Sequence, residues 1–370
     1  MSEPTLVVTR GAILAYRIFD AGDEIALDVA EKILGTAAGG RLRLDRAGAQ
    51  NLVFSVLPLD VTLGTRSIFL PGTKTALELG VYARLFDYGA VSIRFELAID
   101  QATELASLTP LCDEIYDSPV LEEHARVELD ALVKKIDSAI IGPHAWRGVE
   151  TYTVLFVQEV GGETCAESLK HSSVLAKLLV GEPGAKNLSA QQRDDVLKHA
   201  NSYFEDDLVI IDWNSAFVLE PSGSRDIPDI LEFATAQLLE LRYYDETFDV
   251  ELGRIYTQFA EARRSSIFRS PYGRLARGVL RRLVELTEFT ERVDNALKII
   301  GDFYLARVYD SAIRRFRLPD WRKSVDGKQA LVGRAYDLLK DEVQIRRSTI
   351  LEIIVILLIL IELLNALRSH

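Results

Sequence analysis

Ile350-Leu-Glu-Ile-Ile-Val-Ile-Leu-Leu-Ile-Leu-Ile-Glu-Leu-Leu-Asn-Ala-Leu367 is the stretch from which the architecture of this chain is read. Its 18 residues lie at the lower edge of what crosses a bilayer, which takes ~20 apolar residues in a helix. The wholly apolar centre runs from Ile353 to Ile361, and Glu352 and Glu362 flank it. A carboxylate within hydrocarbon costs about 3 kcal/mol on insertion scales unless it is protonated, paired or near the interface. Large aliphatic side chains occur all round the helix rather than on one stripe, which suits lipid better than a two-helix seam. The alternative is a greasy coiled coil, because Leu351, Val355, Leu358 and Glu362 also fit a seam. The expected anchor residues are Ile350, Leu351, Ile353, Ile354, Val355, Ile356, Leu357, Leu358, Ile359, Leu360, Ile361, Leu363 and Leu364. Arg346 and Arg347 precede the segment and only Arg368 follows it, so the bulk of the chain is expected on the cytoplasmic side.

Outward from the tail, composition bounds the rest. The chain has 370 residues, 48% of them hydrophobic and 26% charged, which excludes wholesale disorder. A net charge of -12 argues against a dedicated nucleic-acid binder unless the charge is uneven. It is uneven: residues 1–225 carry 20 basic against 33 acidic residues, and residues 226–347 carry 22 against 20. The acidity belongs to the first part. The opening residues, Met1 to Arg10, lack the basic and apolar regions of a secretory signal, and an early Glu disfavours a transit peptide.

Residues 1–225 read as an acidic α+β domain. Ala12–Phe19, Asn51–Leu57, Val61–Leu70 and Thr151–Val160 have strand composition. Tyr82–Phe86 and Ala90–Leu97 flank Asp87-Tyr88-Gly89, a hairpin signal. Val120–Ile141, Ser168–Leu179 and Ala190–His199 read as helices. A second hairpin is expected at Leu208–Asp212 and Ala216–Leu219. Helices and hairpins mix without strict alternation, so the sheet is expected to be antiparallel or mixed.

Pro221 to Pro228 reads as the boundary. Beyond it, residues 226–347 read as a three-helix, coiled-coil-like domain, and residues 348–368 as a transmembrane tail anchor. One seam runs through Leu231, Ala234, Leu238, Leu241, Asp245, Phe248, Leu252, Ile255 and Phe259. A second runs through Leu283, Leu286, Thr290, Val293, Leu297, Ile300 and Tyr304, on a helix expected from Leu275 to Arg314. Leu318-Pro319-Asp320 stops that helix, and a third begins near Lys323 and leads into the tail. Asp245 is a polar residue in the seam. If the hairpin folds about residues 269–270, it lies opposite Asp294, with Arg292 or Lys298 as candidate partners.

Arg263 to Arg282 holds seven arginines and no acid. In an up-down-up arrangement this turn lies at the same end as Arg346 and Arg347. Arg263, Arg264, Arg269, Arg274, Arg277, Arg346 and Arg347 are therefore expected to meet anionic headgroups of the lipid bilayer. A solvated turn pairing with Glu285 and Glu288, or a contact with ribosomal RNA, are the other readings.

No catalytic motif stands out. Gly181-Glu-Pro-Gly-Ala-Lys186 lacks the spacing of a phosphate loop, and Gly35, Gly39 and Gly40 make no dinucleotide fingerprint. His124, His144, His171 and His199 stand alone in sequence, and Cys112 and Cys165 read as small buried hydrophobes. Glu205-Asp206-Asp207 has oxygen ligands for a divalent cation, but its place before an apolar strand fits a solvated acidic turn. No catalytic residue, cofactor or metal is expected.

Four segments carry a resemblance. They are Leu231-Glu-Phe-Ala-Thr-Ala-Gln-Leu-Leu-Glu-Leu-Arg-Tyr-Tyr-Asp245, Tyr304 to Tyr309, Arg315-Phe-Arg-Leu-Pro-Asp-Trp-Arg-Lys-Ser324 and Leu351 to Glu362. With Phe86-Asp-Tyr-Gly-Ala-Val91, they make the chain similar to the required-for-meiotic-nuclear-division family, a domain of unknown function, over most of residues 80–364. The resemblance implies a membrane-anchored protein without known catalytic activity. Mitochondrial relatives are tied to organelle translation; lacking their targeting extensions, this chain looks like a bacterial member. Glu352 and Glu362 lie ~80° apart around the helix, close enough to pair across helices in an oligomer.

The expectation is a non-catalytic scaffold in the cell inner membrane, single-pass, with a cytoplasmic bulk. It would form a homo-oligomer through its helices and present an acidic head to an unidentified protein partner. A translation-linked tether touching RNA through Arg263–Arg282, or an enzyme with an unrecognised site in residues 1–225, are the alternatives.

Overall fold

Gly89 sits at φ 101° between two long strands, and a Cβ placed there would lie 1.7 Å from the Gly22 carbonyl oxygen. Only glycine fits a left-handed, tightly overlaid turn of this kind, so Asp87-Tyr88-Gly89 makes the expected hairpin. The computed structural model describes residues 6–42, 52–54, 56–161, 169–184, 186–262, 273, 275–281, 283–284, 287, 297–299 and 303–368. The chain forms two compact units, Met1–Leu241 with Arg292–Pro319, and Arg242–Glu291 with Asp320–His370. They part inside a long helix rather than at the Pro221–Pro228 stretch.

The first unit is built on a mixed sheet. Its strands are β1 (Val7–Asp20), β3 (Ala38–Arg41), β5 (Leu59–Ile68), β6 (Leu77–Leu85), β7 (Ala90–Ile99), β8 (Thr103–Glu104), β10 (Val149–Gly161), β11 (Ala200–Asn201), β12 (Leu208–Ile211) and β13 (Ser215–Leu219). Their order is β11-β12-β13-β10-β1-β7-β6-β5-β3, with β8 paired to β1. All these pairs are antiparallel except β10 with β13. Two short ladders join β2 (Gly22–Ile25) to β9 (Ile140–Pro143) and β4 (Leu52–Phe54) to β14 (Leu297–Ile299).

The last pairing corrects the sequence reading. The expected helix from Leu275 to Arg314 is interrupted by a strand where β-branched Ile299 and Ile300 precede Gly301-Asp302. β-Branched residues lose rotamer freedom in helices, and glycine breaks them.

Strand alternation gives the sheet two unlike faces. Ile13, Ala15 and Phe19 of β1 join Val81, Ala83, Ile93, Phe95, Leu155 and Val157 in one apolar core. Helices α1 (Leu27–Leu34), α2 (Leu105–Tyr116), α3 (Pro119–Lys135), α4 (Ser173–Val180) and α5 (Ala190–Leu197) contribute to that core. Arg17 is the exception on this face. Its guanidinium caps the end of α2 by donating to the carbonyls of Ile115 at 2.7 Å and Tyr116 at 3.2 Å.

The other face presents Tyr16, Arg94, Arg84, Tyr152 and Asp20, and the start of helix α6 (Asp226–Ala262) lies against it. Every residue from Asp226 to Leu241 is buried. Helix α7 (Phe303–Arg315) completes this layer: Phe316, just past its end, meets Tyr152 at a ring distance of 5.1 Å. Arg317 then turns through φ 59°, and helix α8 (Leu318–Arg368) begins. Pro319 opens this helix, in the first turn where its missing N–H costs nothing.

The second unit holds the rest of α6 and α8. Phe248 and Ile255 of α6 are buried, as are Val325, Val332 and Leu339 of α8, each seven residues from the next.

Candidate functional site

Arg84 is the centre of the polar layer. On β6 it stands directly across from Asp60 of β5. Its Nε donates to Asp60 at 2.6 Å, and one terminal nitrogen donates to Asp229 at 2.7 Å and to Glu232 at 2.6 Å. A forked guanidinium with five donors is the side chain suited to several carboxylates at once. Burial alone would lower its pKa, but Asp229, Glu232 and Asp60 together hold it well above the ordinary value. Burial raises the carboxyl of Glu232, while Arg84 and Arg94 pull it back. Arg94 also lies over the ring of Tyr82, at 4.8 Å.

Eight residues further along α6 the arrangement fails to close. Glu240 is 1% exposed, and neither carboxyl oxygen has a hydrogen-bond partner among the described residues. Its neighbours belong to the end of β1 and the tight turn beside it. Asp20 accepts from the Gly22 amide at 3.1 Å and faces His144 Nε2 at 3.1 Å. Burial, then Asp20 and Asp23, push the Glu240 carboxyl well above its usual range. Burial likewise raises Asp20, against the hydrogen bond and charge of His144. Tyr88, fully buried in the turn, is raised by burial and by Glu240. A low-dielectric site without an opposing cation among the described neighbours favours the neutral form of such a carboxyl.

A third station fixes α7. Arg315 holds Asp212 and reaches Asp195 at 3.2 Å, and Tyr152 donates to the carbonyls of Asp212 and Ser215. Tyr309 donates to Gln237, tying α7 to α6.

No group of three or more His, Cys, Asp or Glu with metal-holding geometry occurs among the described residues. Asp207 of the Glu205-Asp206-Asp207 run is buried and accepts from the Tyr203 amide at 2.7 Å, so it closes a turn. Cys112 is buried, and burial pushes its thiol up to about 12. Cys165 lies outside the described residues.

In the second unit, Asp245 is paired with Lys328 Nζ at 2.8 Å and accepts from the Ser324 hydroxyl at 2.6 Å. This corrects the expected partners, Arg292 or Lys298: the cation comes from α8, and Lys298 lies in a strand. Arg263, Arg264, Arg269 and Arg274 lie outside the described residues, and Arg277 is helical and exposed. Arg346 donates to Glu342 at 3.0 Å, and Arg347 is exposed.

The tail is helical to Arg368. From Leu351 to Leu364 every side chain is exposed except Ile353, which, like Ile350, is half-buried. Mean hydropathy in its most apolar window is 2.3, with none of that window buried. Glu352 receives a hydroxyl contact from Ser348 at 3.5 Å, and Glu362 is exposed.

These features define a class: an α+β protein with a mixed sheet near its N-terminus, a charged layer on one sheet face, and a long apolar C-terminal helix able to span a membrane. Residues 10–225 match the family described as uncharacterized protein MJ0711, N-terminal domain, and the chain belongs to that family. Uncharacterized protein MJ0711 of Methanocaldococcus jannaschii is 24% identical over 201 residues, 54% of this chain and 61% of that protein. The match thus spans about three fifths of the relative's length. No solved structure matches the chain.

Proposed function

We propose that the chain is a non-catalytic scaffold, held to a membrane by α8 and presenting its acidic first unit to a protein partner. The observation that carries this reading is the exposed, mostly apolar surface from Leu351 to Leu364, whose most apolar stretch has no buried residue. At about 2 kcal/mol for each large aliphatic side chain removed from water, such a surface demands a nonaqueous environment. The Arg346-Arg347 pair before it, against Arg368 after it, supports a cytoplasmic bulk on a single-pass inner-membrane anchor. The resemblance of residues 80–364 to the required-for-meiotic-nuclear-division family supports the same reading. In the second unit the seven-residue spacing of Val325, Val332 and Leu339 supports a coiled-coil-like stalk.

Membrane fractionation of the full chain beside a version stopped after Arg347 tests this, with and without an alkaline wash. The expected result is that only the full chain stays in the washed pellet. A truncated form that pellets at low salt and is released at high salt would point to headgroup contact by the Arg263–Arg282 stretch. Salt-sensitive co-sedimentation with ribosomes would favour an RNA-touching tether instead. If both forms stay soluble, the anchor reading fails.

A further inference from the structure

Arg346 and Arg347 on one side and Arg368 on the other bracket a helical stretch about 32 Å long at 1.5 Å per residue, matching the ~30 Å hydrocarbon thickness. Glu352 and Glu362 are placed symmetrically within it. Each lies about 7 Å from the midpoint near Leu357, too deep for a short carboxyl side chain to reach water. A carboxyl at that depth is costly unless it is neutral and hydrogen-bonded.

The helix sorts its polar groups by face. At about 100° per residue, Ser348, Glu352, Glu362 and Asn365 fall within an arc of about 140°. Leu351, Val355, Leu358 and Ile359 lie between them on that arc. The remaining circumference carries isoleucine and leucine, with Thr349 as its polar member, and the Thr349 hydroxyl donates to the Ile345 carbonyl of its own helix at 3.0 Å. Between Ser348 and Asn365 the stripe contains no Lys, Arg or His; Arg347 lies on the same arc at its end. Its groups are therefore complementary to hydrogen-bonding groups like themselves: a neutral carboxyl donates and accepts, and so does the Asn365 amide.

We propose that this stripe receives the same stripe of a second copy of the chain, in parallel, within the bilayer. The proposal rests on the anchor reading above. Because Arg346 and Arg347 set one insertion direction for every copy, Glu352 meets Glu352, and Glu362 meets Glu362 with Asn365 beside it. A two-fold pairing of this kind uses one patch twice. Polar side chains that find partners across helices are an established device of membrane association.

The test uses the full chain, labelled in two populations with donor and acceptor fluorophores and reconstituted in phosphatidylcholine vesicles. Glu352→Leu, Glu362→Leu and Asn365→Leu combined make the tail more apolar, so insertion is retained. The expected result is an apparent association weakened at least about tenfold. Glu352→Gln with Glu362→Gln keeps the hydrogen bonds and retains energy transfer. Unchanged transfer in the leucine variant overturns the pairing while leaving the anchor intact. Loss of transfer in the glutamine variant also overturns it, because a site needing the carboxylate charge binds a cation or a charged partner instead. Release of the wild-type chain from vesicles by an alkaline wash overturns anchor and pairing together.

Discussion

Two helices of this molecule set glutamates among apolar side chains, and they differ in what supplies the apolar surroundings. In α6 the chain does so itself, burying Glu232 and Glu240 to 1% exposure each. In α8 no described residue covers Glu352 or Glu362, and both are exposed. The comparison teaches that a buried carboxyl is defined by its partner rather than by its depth. Glu232 shares Arg84 with Asp229, whereas Glu240 has no ion pair among the described residues, and burial with Asp20 and Asp23 raises its carboxyl.

Removing the cation should produce the largest effect. Arg84→Met leaves Asp229 and Glu232 buried with Arg84's charge gone, a class of change that costs about 3–5 kcal/mol. Denaturant unfolding of the variant should show a midpoint shift of that size or failure to fold. A loss below about 1 kcal/mol would mean that the layer is wet and the carboxylates are solvated.

Glu240 should behave in the opposite way. Its folded pKa lies above the ordinary glutamate value of 4.5, so between those values the native state binds more protons than the unfolded one. Stability is then fully present below about pH 4.5 and is lost as pH rises toward the folded pKa. Glu240→Gln should therefore flatten the decline, unfolding at higher denaturant than wild type at pH 8 and at a similar concentration at pH 4. Parallel pH profiles for the two proteins would remove Glu240 as the cause.

Why the sequence showed one of these helices and hid the other follows from range. The tail is contiguous in sequence, and the Asp87-Tyr88-Gly89 hairpin depends on neighbours, so both were legible. Arg84 meets Asp60 across 24 residues of chain and Asp229 and Glu232 across 145 and 148. No local pattern announces such pairs. The seam of Leu231, Ala234, Leu238 and Leu241 was read correctly as apolar. The carboxylates between them, Glu232 and Glu240, are buried as well. The available signal was on the strands: Tyr82, Arg84, Ser92 and Arg94 alternate with apolar residues and invite a reading as a wet surface. The second seam is broken at Leu297, which lies in a strand, while Leu286, Thr290, Val293 and Ile300 lie outside the described residues.

A smaller effect is expected where the pair is only partly buried. Asp245 and Lys328 have side chains 18% and 19% exposed. Asp245→Leu should cost about 1 kcal/mol, with helicity by circular dichroism unchanged, because Asp249 also holds Lys328 at 2.7 Å. A double-mutant cycle with Lys328→Met should give a coupling energy near 0.5 kcal/mol. An unchanged assembly state in the Asp245→Leu chain would show that this contact does not fix helix register.

The smallest stability effect separates the two helices most cleanly. Arg346 pairs with Glu342 one helical turn away, a class of contact worth about 0.3–0.5 kcal/mol. Arg346→Gln with Arg347→Gln should leave the unfolding midpoint almost unmoved. If the tail is the proposed anchor, it should nevertheless change how the tail inserts, because flanking positive charges set the direction of insertion. Protease protection of an N-terminal tag in vesicles would read this as a mixture of orientations where wild type gives one. In the head, then, an arginine acts by neutralising buried carboxylates, and its loss is seen in folding. On the proposed anchor, the arginines at the base of the tail act by setting its direction, and their loss is expected in orientation. A stability loss at Arg346 as large as that at Arg84 would collapse this distinction and place the base of the tail inside a packed core.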